Sequence, residues 1–102
     1  MAERTTEPVR IERHLAISHK DFMRTLPAAL GRRPDTEDPA NILVKSGPDK
    51  RLEIRLSPEG SRQIGALTLP QTGVALEFVG YTPQEVEQFM QRFDAYYRRG
   101  GG

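Results

Sequence analysis

Residues 82–100 read TPQEVEQFMQRFDAYYRRG, and this run decides what the rest of the chain must supply. Val86, Phe89, Met90, Phe93 and Tyr97 recur at intervals of three and four. On a 3.6-residue helix that spacing gathers them into one apolar stripe and turns Glu87, Gln88, Gln91, Arg92 and Asp94 outward. Thr82 is placed to cap the helix, Pro83 takes the first helical position where a missing amide does no harm, and Glu85 three residues after Thr82 completes a capping box. Arg98 and Arg99 stand where the helix dipole favours positive charge, and Gly100 suits a left-handed stop. A stripe carrying two phenylalanines and a tyrosine needs a broad apolar platform.

The preceding segments provide one. Val9, Ile11, Leu15 and Ile17 alternate with Arg10, Glu12, His14 and Ala16, the period of a half-buried strand, with Arg13 interrupting the apolar row. Arg13 is expected either to run its stem along the edge of the core or to mark a bulge. Ser18 and Asp21 then form a helix start, and Phe22, Met23, Leu26 and Leu30 keep helical spacing. Pro27 predicts a kink, or a short helix ending near Thr25. GRRPDTEDPAN, 31–41, reads as a mobile loop. NILVKS and RLEIRLS, divided by GPDK, read as a hairpin; after a turn at SPEGS, RQIGALTL and VALEFV divided by PQTG read as a second one, with Gly65 marking a bulge or a close backbone approach.

The expected fold is therefore α+β, in the order β-α-β-β-β-β-α, with an antiparallel sheet covered on one face by the long C-terminal helix. It occupies residues 9–99 as a single domain, between a flexible tail at 1–8 and a short flexible end at 100–102. In element order alone this resembles the TATA-box-binding-protein-like topology, a curved antiparallel sheet backed by helices, related in outline to helix-grip domains that enclose apolar ligands. The phenylalanine wedges and strongly basic sheet face of the DNA-bending members are not identifiable in this sequence.

At 102 residues the chain has apolar material for one core, and 36% apolar with 28% charged residues is polar but globular. Fifteen basic residues against fourteen acidic ones are interspersed, which removes the strong nonspecific pull toward phosphate that nucleic-acid binders show. No cysteine means no disulfide, thiolate nucleophile or cysteine-held zinc. The N-terminal MAERTTEPVR carries no apolar run of the signal-peptide kind, and no segment has the length of a membrane span, so a soluble cytoplasmic protein without membrane contact is expected.

His14 and His19 do not have the spacing of a helical zinc pair, and no phosphate loop or nucleophile elbow is present, so neither a metal, a cofactor nor a catalytic group is expected and the chain reads as a non-enzyme. Twelve of the fifteen basic residues are arginine, the better group for planar capture of carboxylate or phosphate. Arg51 and Arg55 share one strand face, and with Arg62 and either His14 or Arg10 on neighbouring strands they are expected to line an anion-accepting patch on the open sheet. Tyr97 belongs to the apolar stripe, whereas Tyr96 is rotated off it beside Arg98 and Arg99 and is offered to a partner.

Three functions follow in order. The first is an interaction or accessory domain using the uncovered sheet face or an edge, toward a protein partner or a second copy. The second is a helix-grip pocket for a small anionic ligand, and the third is weak nucleic-acid binding through the sheet and the arginine-rich end.

Overall fold

A computed structural model describes residues 8–100, with side chains through Tyr97. All but one residue of the expected N-terminal tail, and the last two residues of the C-terminal end, lie outside the described residues, as do the side chains of Arg98 and Arg99. The chain forms β1 (Val9–Leu15), α1 (His19–Leu30), β2 (Thr36–Asp38), β3 (Asn41–Lys45), β4 (Arg51–Leu56), β5 (Gly60–Ile64), β6 (Leu67–Val79) and α2 (Pro83–Gly100). The sheet is antiparallel with order β1-β6-β4-β3-β2, and β5 pairs with the first part of β6. The expected α+β architecture holds, with one strand more than the sequence reading counted and with α1 joining α2 against the sheet.

The capping box at α2 is complete. The Thr82 amide donates to Glu85 Oε1 at 2.8 Å, and the Glu85 amide donates back to Thr82 Oγ1 at 3.1 Å. Lys50 also donates to Glu85, at 2.8 Å, tying the cap to the β3–β4 turn. The stripe of α2 enters one core with Phe22, Leu26 and Ala29 of α1 and with Ile42, Leu52, Ile54, Leu76 and Phe78 of the sheet. Phe22, Phe78 and Phe93 are wholly buried, and the Tyr97 ring stacks on Phe22 with centroids 4.7 Å apart while its hydroxyl donates to the Phe22 carbonyl at 2.9 Å. Burial raises the Tyr97 hydroxyl well above its ordinary pKa.

Three local readings are corrected. The helix does not end near Thr25: α1 runs through Pro27 to Leu30. Tertiary contacts override the proline, because Leu26 and Ala29 are buried, Gly31 closes the helix at φ 78° by donating to the Pro27 carbonyl, and Arg92 of α2 donates to the carbonyls of Ala28 and Ala29 at 3.0 Å each. Arg92, exposed as expected, thus also ties α2 to α1, whereas Asp94, expected to face solvent, is half-buried and anchors α2 to the sheet. Asp94 accepts two bonds of 3.0 Å from Arg13, whose strand has no bulge and whose guanidinium pKa is raised by those bonds.

The loop 31–41 is likewise fixed rather than loose. Its residues 36–38 form β2 against β3, Arg32 donates to the Lys45 carbonyl at 2.8 Å, and Asp35 accepts from the Lys45 amide at 2.7 Å. That amide bond, aided by Arg32, holds the Asp35 carboxyl below its usual pKa.

The third correction shapes the surface. PQTG is no turn; it lies inside β6, and SPEGS is no reversal either. Leu56 pairs with Val74 and Gly60 with Gln71, so residues 57–59 stand opposite only 72 and 73, and β4 continues into β5 through a bulge. Ser57 makes the joint: its amide donates to the Gly73 carbonyl, and its Oγ accepts from the Gly73 amide, both at 2.8 Å. The Ser57 carbonyl, released from the ladder, receives His19 Nε2 at 2.6 Å. The true reversal is Gly65–Ala66, with Gly65 at φ 60° and Ala66 in an ordinary conformation, as a two-residue turn with glycine first requires.

Candidate interaction surface

Side chains alternate across the sheet, so β6 sends Thr72, Val74, Leu76 and Phe78 into the core and Gly73, Ala75 and Glu77 to the opposite, uncovered face. The register places His14 and Ser57 on either side of Gly73, Glu12 and Arg55 on either side of Ala75, and Arg10 and Glu53 on either side of Glu77. Because Gly73 and Ala75 contribute almost no side chain, they form the floor of a groove of about 300 Å³ walled by Arg10, Glu12, His14 and Arg55. A Cβ on Gly73 would stand 3.2 Å from Ser57 Oγ and 3.7 Å from His14 Nδ1, so even one methyl group begins to fill this floor.

The charges of the face are largely spoken for. Arg10 donates to Glu12 at 3.1 Å, Arg51 donates to Glu53 at 3.1 Å, and the Arg55 guanidinium lies 3.6 Å from the other oxygen of Glu53. Exposed pairs of this kind contribute little to stability, but they leave a face of alternating sign rather than a basic one. Of the residues singled out in the sequence, His14 and Arg55 share the groove wall and Arg51 lies farther along β4. Arg62 sits apart on β5, opposite Leu69. Tyr96 is on the other side of the molecule, 40% exposed, lining a cleft of about 200 Å³ with Asp21, Arg24 and Pro70, and Arg92 lies over its ring at 5.4 Å. Among the described residues no cluster of histidine and carboxylate suits a metal ion.

What the sequence reading missed is the arm. β5 and residues 67–71 of β6 form a two-stranded ribbon that extends past the end of β1, and every residue from Gly60 to Thr68 is exposed. The 13 residues of β6 span about 44 Å at 3.4 Å per residue, comparable with the 56 Å long dimension of the molecule. At the tip, Ile64 and Leu67 form a cross-strand pair, 50% and 64% exposed. Arg62 is the only charged residue from Gly60 to Gln71, in a chain that is 28% charged. That depletion was the available signal; the supposed turn at PQTG concealed it by cutting the ribbon in two.

Pro70 is compatible with β6 because of where its nitrogen points. Gly73 bonds toward Ser57 and Leu67 pairs with Ile64, so odd-numbered residues of β6 direct their backbone toward β4 and β5. Pro70 therefore turns its nitrogen to the opposite edge, which β1 leaves unpaired beyond Leu15.

Compared with models of known families, with characterised proteins and with solved structures, the chain matches none. The resemblance noted in the sequence is therefore one of element order alone, and such a likeness carries no function.

Proposed function

We propose that the protein is a non-enzymatic interaction domain that works through the open face of its sheet and the hairpin arm continuous with it, in the cytoplasm. The observation that carries this reading is the pairing of Ile64 with Leu67 at the tip of an otherwise almost uncharged ribbon. Depletion of charge around exposed apolar anchors is the compositional mark of an interface centre, with Arg10, Glu12, His14 and Arg55 as its polar rim. A folding role does not account for these side chains, because neither belongs to the buried cluster or to the apolar residues packed against it.

The same groove is a poorer receptor for a small anion or for nucleic acid. Glu12 and Glu53 already engage Arg10, Arg51 and Arg55. The interior favoured by a helix-grip pocket is occupied by Phe22, Phe93, Ile54 and Leu76, each with no exposed surface. No helix of the described residues is long and apolar enough to cross a membrane.

The test is affinity capture with the wild-type chain and with the double variant Ile64→Ser/Leu67→Ser, followed by reconstitution with each purified candidate. Loss of a reconstituted complex in the variant, with an unchanged melting temperature, is the expected result. Identical recovery by the two proteins, together with identical sedimentation, would remove the arm from any interface.

A further inference from the structure

Resting on that reading, we infer that the occupant of the open face is a second copy of this chain, packed face to face about a two-fold axis beside Gln71. Leu69 and Leu67 of each copy then lie over Gly73 and Ala75 of the other.

The argument is self-complementarity along one strand. By alternation Leu67, Leu69, Gln71, Gly73 and Ala75 project from the same side of β6. The first two are bulky, Leu67 exposed and Leu69 half-buried, the last two are the floor of the groove, and Gln71 lies midway in both pairings, 67 with 75 and 69 with 73. A two-fold at that point places projections over hollows twice, once in each direction. An interface that uses the same patch on both subunits closes on itself, so a discrete dimer rather than a filament results.

Charge and edge chemistry support the same occupant. The Arg10–Glu12 and Arg51–Glu53–Arg55 contacts stand in register with 75–79 of β6, so under this two-fold they lie opposite or beyond the uncharged tip of the other copy's arm, residues 63–67, and like charges are not brought together. Strand-to-strand pairing is the competing route, with three nearby edges open to it: the β6 edge of the arm carries Pro70, which has no amide to donate, the β1 edge carries Arg10, Glu12 and His14, and the outer edge of β5 carries Arg62. Each edge thus holds a residue that disfavours pairing, which favours face-to-face contact.

The absence of cysteine from the sequence makes the geometry directly testable on the full chain. Sedimentation equilibrium from about 5 to 500 µM is expected to show monomer and dimer, and Leu67→Arg should raise the dissociation constant at least about tenfold while the melting temperature at low concentration stays unchanged, as for loss of a central interface anchor. Gln71→Cys, which meets its own copy at the axis, should form a disulfide-linked dimer under mild oxidation, whereas Tyr96→Cys on the helical side should not. A mixture of Leu67→Cys and Ala75→Cys should cross-link as the mixed pair in preference to either alone. A wild-type chain that stays monomeric throughout overturns the inference, as does a dimer in which Gln71→Cys cross-links no faster than Tyr96→Cys. Arm-dependent binding of a different purified protein by a monomeric chain would sink the dimer yet keep the interaction reading; loss of both would sink the two together.

Discussion

The two halves of β6 obey the same backbone rules in opposite surroundings. From Thr72 to Val79 the strand lies between β1 and β4 under two helices, and Thr72, Leu76 and Phe78 have no exposed surface. From Leu67 to Gln71 it has β5 alone, and Leu67 is more exposed than any other large apolar side chain described. The difference shows that strand formation and core formation are separable here. The hairpin turn and ladder extend the ribbon, while the helices determine where burial stops. Neither Leu67 nor Leu69 is among the apolar residues packed against the core.

That contrast is most sharply tested at Phe78, whose ring meets Tyr81 and Phe89 edge-on at 5.1 and 5.3 Å. Phe78→Ala should destabilise the fold by about 3–5 kcal/mol in urea titration, through lost burial and the cavity left behind. A loss below about 1 kcal/mol would mean that the packed half of β6 is no better anchored than the arm. Gly80, just past the strand, comes next. It holds φ 81°, and a Cβ there would run into the Asp49 carbonyl oxygen, a backbone atom of the β3–β4 turn that would have to shift. Gly80→Ala should lose about 1–3 kcal/mol from backbone strain, before any displacement of that turn is added. Gly65→Ala, at φ 60° but with nothing near its Cβ, should weaken only the arm.

A smaller effect belongs to the lid of the core. Tyr97→Phe keeps the ring stacked on Phe22 and removes only the hydroxyl bond to the Phe22 carbonyl, so about 1 kcal/mol should be lost by the same titration. At the other end of α2, Glu85 is held down to about 2 from 4.5, chiefly by the Lys50 hydrogen bond and then by the Thr82 amide. A carboxyl whose folded pKa is depressed contributes stability that is present above its unfolded value and disappears as pH falls through the folded one. Stability should therefore decline between about pH 4.5 and 2, and Glu85→Gln should flatten that part of the profile in acid titration followed by circular dichroism.

The sequence disclosed α2 almost completely, because its cap and its stripe are local signals and both are answered in the structure. It disclosed the β3–β4 hairpin for the same reason. It misled wherever a residue's role depends on a distant partner. Pro27 stays in a helix because Arg92, 65 positions later, donates to the Ala28 and Ala29 carbonyls in the last turn of α1. Pro70 and Gly73 stay in a strand because β1 ends at Leu15 and Ser57 supplies an oxygen to the Gly73 amide. Arg13 looked like a fault in an apolar row until Asp94 was placed beside it. The groove is illegible for the same cause, since its floor and walls come from three strands, and the arm was hidden by reading proline and glycine as punctuation.

The smallest expected effect is at the arm itself, and it separates the halves of β6 most cleanly. Leu67→Ser removes an apolar side chain that is 64% exposed and contacts no core residue, so at micromolar concentration its stability should lie within about 0.5 kcal/mol of wild type. The ladder bonds to Ile64 involve the backbone and survive the substitution. At concentrations where the two-fold contact forms, the same change should lower the melting temperature relative to wild type, because a dimer stabilises the folded state by mass action and this variant forms less of it. A calorimetric series over a hundredfold range of concentration therefore reads both properties of the arm: coincident curves when dilute assign Leu67 no part in folding, and divergent curves when concentrated assign it to the interface. If the variant is already destabilised by more than about 1 kcal/mol when dilute, the arm is part of the folding unit and the division of β6 into a structural half and a contacting half is wrong.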